Sequence, residues 1–190
     1  MKTFFNSIIM IVLAIIIIVI AKPYVDDYKE KIKYDFTIST IDGDIQKKDF
    51  EGKVLAIYFG YTFCPDVCPT TLSSLSQALK SMDKEKAKEV QALFISVDPD
   101  RDTLKNLKDY SQYFNPTFIG ATSNKENIDD IVERYESYYK KIQLKDSAMG
   151  YSVSHTSYIY LFDKNGNFFK RVDHFSDPSK IKNDLEMVLK

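Results

Sequence analysis

Two cysteines and one histidine carry the chemistry in this sequence. The cysteines stand in Gly60-Tyr-Thr-Phe-Cys64-Pro-Asp-Val-Cys68-Pro69, a C-x3-C spacing. The segment follows an apolar run with strand character and precedes a helical pattern. Pro69 suits the first position of a helix, where its missing N–H costs nothing. Both sulfurs then lie near a helix N-terminus, whose partial positive charge favours thiolate. Thiolate attacks disulfides and binds metal. Residues i and i+4 share a helix face, and in a turn the two sulfurs also converge.

Three readings compete for the pair. A permanent disulfide is the plainest, since two cysteines in an exported domain commonly bond. Closing a five-residue loop, however, removes little chain entropy, worth roughly 2 kcal/mol. The second reading is a redox pair and the third a soft-metal site. Spacing alone does not separate these two. His155, in Tyr151-Ser-Val-Ser-His155-Thr-Ser, favours the metal. It lies just before the apolar run that starts at Tyr158. In a layered domain the ends of neighbouring strands meet at one edge, so it can approach a loop that follows another strand. Two thiolates with one imidazole suit Cu(I), which accepts low coordination numbers. Structural zinc needs a fourth ligand, and the sequence offers no clear one. The other histidine, His174, reads as a solvated residue at a strand end.

Several elements must position these residues. Continuous apolar runs at Val54–Phe59, Ala92–Val97 and Tyr158–Phe162 predict strands buried on both faces of a sheet. Helical spacing links Leu72, Leu75, Leu79 and Met82, then Leu104, Leu107, Tyr110 and Phe114. It recurs at Ile128, Ile131, Val132 and Tyr135, and at Ile181, Leu185 and Val188. Phe36, Ile38 and Ile41 before Asp42-Gly43 predict a hairpin. Lys164-Asn-Gly166 predicts a turn into a strand at Phe168–Val172. The order is hairpin, strand, helix, strand, helix, short strand, helix, hairpin, helix. That is an α/β layered domain with a central sheet flanked by helices.

The chain has 190 residues, which fits one domain plus an appendage. A hydrophobic share of 44% supports a core, and a net charge of −1 gives no reason to expect nucleic acid. The appendage is N-terminal. Residues 4–21 carry no charge, and at about 1.5 Å each they cover roughly 27 Å, enough for a hydrocarbon core. The organisation expected is a transmembrane anchor over 1–22, a charged tether or solvated helix over 23–33 and the domain over 34–190. A cleaved signal peptide is the competing reading. The run exceeds a usual signal core and no clean small-x-small site follows it. No cysteine ends the run either, which argues against a lipoprotein. A Lys and Arg count places the C-terminal side inside, whereas the signal-like start argues for export of the domain, which is the expectation adopted.

Three segments together resemble the Sco/SenC family. They are Tyr58-Phe-Gly-Tyr-Thr-Phe-Cys64-Pro-Asp-Val-Cys68-Pro, Ser96-Val-Asp98-Pro-Asp-Arg101-Asp-Thr103, and the stretch around His155 that ends in Leu161-Phe-Asp-Lys-Asn-Gly166. The resemblance runs from about Tyr34 to the C-terminus. It implies a thioredoxin-like fold, a membrane anchor, and copper, as Cu(I) and in some states Cu(II), held by Cys64, Cys68 and His155. It also implies a role in metallating the CuA centre of cytochrome c oxidase subunit II, with the copper donor unidentified. Some members of that family act on thiols or disulfides, so a thiol–disulfide oxidoreductase using Cys64 and Cys68 is the main rival. A thiol peroxidase, suggested by Thr62 before Cys64, is a weaker rival. One departure is Ser154, where the family often has an acidic residue; it bears on metal affinity. Asp98 and Arg101 read either as residues supporting the site or as a strand end and helix cap. Expected placement is a bacterial cytoplasmic membrane, single-pass, with the domain on the periplasmic or extracytoplasmic side; the missing Arg- and Ser-rich leader favours a bacterium over an organelle.

Overall fold

The computed structural model describes residues 2–145 and 147–190, without the side chains of residues 2–9 and 12. Contacts divide the chain into two units, Met1–Lys33 and Tyr34–Lys190. The first is one helix, α1 (Lys2–Lys33), which runs on through residues 23–33, where a tether or solvated helix is expected. Among the described residues no helix is long and apolar enough to cross a membrane. Part of the expected span, residues 4–9 and 12, lies outside the side chains described. From Met10 to Ile20 the described apolar side chains are mostly exposed on the helix surface.

The second unit opens with the expected hairpin, β1 (Thr37–Thr40) and β2 (Gly43–Gln46). Gly43 turns at a φ of 123°, a conformation open to glycine. A five-stranded sheet follows. Its strands are β3 (Val54–Gly60), β4 (Val90–Ser96), β5 (Ile119–Ala121), β8 (Tyr158–Phe162) and β9 (Phe168–Asp173), in the order β5-β4-β3-β8-β9. β3, β4 and β5 run parallel, while β8 and β9 are antiparallel. Every residue of β3 and β4 is buried. Strands covered on both faces need unbroken apolar runs, which is why these two are plain in the sequence.

Helices α2 (Val67–Ser81) and α4 (Leu104–Phe114) connect the parallel strands. The short α3 (Lys84–Lys88), α5 (Lys125–Arg134) and α6 (Pro178–Val188) complete the layers. Thr103, Asn124 and Asp177 cap α4, α5 and α6 through side-chain oxygens. Leu72, Leu75, Ile128, Ile131, Ile181 and Leu185 face the core, as their spacing predicts. An aromatic cluster fills the far side of the sheet. Tyr135 meets Tyr34, Phe59 and Tyr160 edge-on, and its hydroxyl donates to the Tyr34 carbonyl at 2.7 Å. Each such ring contributes about 1.5–3 kcal/mol by leaving water.

Two local expectations need correction. A separate hairpin, β6 (Tyr139–Gln143) with β7 (Tyr151–His155), precedes β8, and no apolar run marks it. Helix α2 begins at Val67, so Pro69 is its third residue and Cys68 its second.

Candidate metal site

Gly60 ends β3, and the chain leaves the sheet there to form the cysteine loop. Crevices at the carboxyl ends of parallel strands are common ligand sites. β8 runs antiparallel to β3, with Ile159 opposite Tyr58. The start of β8, and with it the preceding His155, therefore stands at the same sheet edge. The edge argument drawn from sequence holds, although His155 closes the β6–β7 hairpin.

Side-chain donor atoms of Cys64, Cys68 and His155 all lie within 4.8 Å of one another. Cys68 Sγ is 3.4 Å from His155 Nε2. His155 Nδ1 is 3.1 Å from the Thr156 carbonyl oxygen, which can only accept, so Nδ1 carries a proton. In the neutral ring the Nε2 lone pair then faces the sulfurs. Rings of Tyr58 and Tyr61 flank the imidazole edge-on at 6.2 and 5.9 Å. Metal–sulfur bonds near 2.3 Å and metal–nitrogen bonds near 2.0 Å place the donors around one ion roughly 4 Å apart. The three donors fit a single soft ion with small side-chain adjustment. No fourth such ligand joins them among the described residues.

The two cysteines are unbridged and differ sharply. Cys64 is half-buried and its sulfur accepts the Cys68 backbone N–H at 3.4 Å. It caps the first turn of α2, whose own N-cap residue, Asp66, makes no side-chain cap bond. The hydrogen bond from the Cys68 thiol holds the Cys64 thiol down, to about 4. Cys68 is fully buried, and burial pushes its thiol well above the ordinary value; the neighbouring Cys64 charge adds to this. The expectation that both sulfurs favour thiolate therefore holds for Cys64 alone. The resting pair is a Cys64 thiolate beside a Cys68 thiol.

The loop after β4 supports the site. Asp102 accepts from the Thr62 N–H at 3.0 Å, the Thr62 hydroxyl at 2.6 Å and the Ser96 hydroxyl at 2.5 Å. It ties the cysteine loop to β4 and occupies the Thr62 hydroxyl. Asp98, 0% exposed, accepts from Arg101 Nε at 2.6 Å and from the Tyr151 hydroxyl at 2.7 Å. The Arg101 guanidinium lies 3.6 Å from the Tyr151 ring centre and 4.7 Å from that of Phe63. It also donates to the Tyr151 carbonyl at 3.0 Å. Thr103, not Asp98, caps α4. The helix-cap reading of this loop does not hold, since neither Asp98 nor Asp102 is the N-cap of α4; Asp98 and Arg101 fasten the strand that ends in His155. Sequence reasoning assigns no role to Tyr151; its alternation with Val153 and His155 on one strand face is the signal that points to it. Ser154 is exposed, opposite Lys140.

His174 stays outside the cluster. It is 21% exposed and packs on Phe175, with ring centres 3.8 Å apart. It is thus half-buried after β9, where a solvated residue is expected.

Comparison with known proteins extends this picture. The family profile described as SCO1/SenC matches residues 25–190. An SCO2-like protein of Rickettsia conorii is 35% identical over 167 residues, covering 86% of this chain and 80% of its own. The structure of Bradyrhizobium japonicum ScoI with copper bound superposes with a TM-score of 0.72 at 38% identity, over 82% of this chain and 98% of that one. Arabidopsis thaliana ScoI with copper bound gives 0.76 at 33% identity, over 82% and 96%. With most of the domain matched by profile, by sequence and by backbone, the chain belongs to the SCO1/SenC family.

Proposed function

We propose that this protein is a membrane-anchored copper(I) chaperone that helps assemble the CuA centre of cytochrome c oxidase subunit II. Cys64, Cys68 and His155 are the ligands of its cargo. The observation that carries this reading is the convergence of two sulfurs and one imidazole nitrogen within 4.8 Å. Relatives whose structures contain copper support the choice of metal. Cu(I) meets the Cys64 thiolate and the His155 lone pair, and the Cys68 proton leaves as the third bond forms. A cysteine-bearing acceptor then exchanges ligands stepwise, starting at the more exposed Cys64. Oxidation to a disulfide removes both thiolates and stops binding. The apolar run over 4–21 and the 32-residue helix that contains it support an anchor. In this reading the domain stands on the extracytoplasmic side of a bacterial cytoplasmic membrane.

Anaerobic Cu(I) competition on the detergent-solubilised full chain tests the reading. Wild type should bind one ion tightly, and His155→Ala should lose at least tenfold, about 1.4 kcal/mol. Equal binding by the two proteins, or no binding by either, refutes the three-ligand site. A second reading, thiol–disulfide oxidoreductase, is favoured by one observation. The half-buried, low-pKa Cys64 beside a buried, protonated Cys68 is the arrangement of an attacking and a resolving thiol. That chemistry needs both sulfurs but not His155.

A further inference from the structure

Gly60 sits where β3 gives way to the cysteine loop. No positive φ demands glycine at this position; the demand is for space. A Cβ placed there would stand 2.8 Å from Cys68 Sγ and 2.7 Å from Phe94 Cε2. Ordinary contact between such atoms begins near 3.5–4.0 Å. The backbone cannot withdraw to make room. Gly60 pairs with Ser96 across the sheet, and its carbonyl accepts the Val97 N–H at 2.9 Å. Phe94 is held as well, stacked on Tyr58 at 6.2 Å and packed on Tyr110 at 5.4 Å. Tyr58 closes the third side, with its hydroxyl 3.7 Å from Cys68 Sγ and its ring 3.2 Å from the same Cβ position.

We propose that Gly60 is a positioning residue for the candidate metal site: its missing side chain is the seat of the Cys68 sulfur. With the backbone and both rings fixed, a side chain at residue 60 displaces that sulfur. Cys68 can yield by rotating its side chain or by shifting the first turn of α2. Either movement breaks the 3.4 Å approach to His155 Nε2. Gly120 is a useful contrast. A Cβ there would collide with the Leu107 carbonyl and the Ser111 hydroxyl on α4. It would disturb helix-on-strand packing and touch no candidate ligand.

The consequence for copper rests on the chaperone reading, whereas the geometry does not, so the test has two readouts. The first needs no metal. In a Cys64→Ser background, iodoacetamide alkylation reports on Cys68 alone. Its buried sulfur should react slowly, and adding Gly60→Ala should speed the reaction at least tenfold. The second readout is anaerobic Cu(I) competition. Phe94→Leu removes the ring atom that Gly60→Ala would strike, leaving the Cys68 sulfur as the closest obstacle, ahead of the Tyr58 ring at 3.2 Å. Gly60→Ala/Phe94→Leu should bind Cu(I) at least tenfold more weakly than Phe94→Leu, with the apo melting temperatures within a few degrees. Unchanged Cys68 alkylation together with unchanged Cu(I) affinity overturns the proposal. Faster alkylation in a protein whose wild type holds no copper supports the seat and refutes the chaperone reading instead.

Discussion

Two cysteines and a histidine meet at one edge, but the protein supports them by different means. The cysteine loop grows from β3, the middle strand of the sheet, paired on both sides and buried along its whole length. His155 ends a hairpin whose strands pair only with each other among the described residues. That hairpin is fastened by side chains: Arg101 and Asp98 on Tyr151, and Lys141 near Asp98 and Asp100. Main-chain ladders break only with the fold. Side-chain tethers can loosen singly. Two of the candidate ligands are therefore fixed by architecture, and the third is held by adjustable contacts.

The most severe way to break this contrast is to attack the sheet. Phe59→Ala removes a buried ring from β3 and should cost about 3–5 kcal/mol in urea unfolding. Such a loss would take the cysteine loop and the hairpin down together. Cys68→Ser leaves the sheet intact and should weaken Cu(I) by more than 100-fold, since losing an outer supporting partner alone costs roughly 10–100-fold. Competition titration measures it, and wild-type affinity in this variant would refute the ligand assignment. Arg101→Gln attacks only the tether. It should lower Cu(I) affinity about tenfold and, because the buried Asp98 carboxylate loses its closest cation, also cost about 3 kcal/mol in urea unfolding. A large stability loss with intact affinity would reverse the roles of ladder and tether.

Acidity sharpens the contrast between the two sulfurs. Cys64 falls from an ordinary 9.0 to about 4 on folding. The unfolded chain binds the extra proton between those values, so this group's stabilisation grows as pH rises from 4 to 9 and is lost as pH falls through 4. Cys68 is raised, so its effect has the opposite sign and appears as lost stability above pH 9. Urea unfolding of reduced protein across this range should show a rise that Cys64→Ser flattens. Near neutral pH, Cu(I) binding should release about one thiol proton, not two. The smallest effect belongs to the surface: Lys105→Ala, which breaks the exposed pair with Asp109, should leave the urea midpoint unchanged.

Much of this architecture is legible in the sequence alone. β3, β4 and β8 announce themselves as apolar runs because both faces of the sheet are covered. The amphipathic helices show their spacing because one face is wet. The convergence of Cys64, Cys68 and His155 follows from the sheet edge at which neighbouring strands end. The β6–β7 hairpin is hidden because Val153 is its single fully buried side chain among the described residues. Without a covered face, alternation such as Tyr151, Val153 and His155 is easily passed over. The difference between Cys64 and Cys68 is hidden too. A C-x3-C spacing treats its ends alike, and only the depth of the α2 start beneath β3 and Phe94 separates them.

Helix α2 begins on a sulfur where its neighbours begin on oxygen. An oxygen cap is chemically inert, but this one changes character whenever Cys64 is oxidised or engaged by a metal. The Cys68 amide proton, bonded to that sulfur at 3.4 Å, therefore works as a built-in gauge. Its exchange with deuterium and its chemical shift should follow the loading of the site, making the first turn of the helix a dial that a partner could feel as readily as a spectrometer.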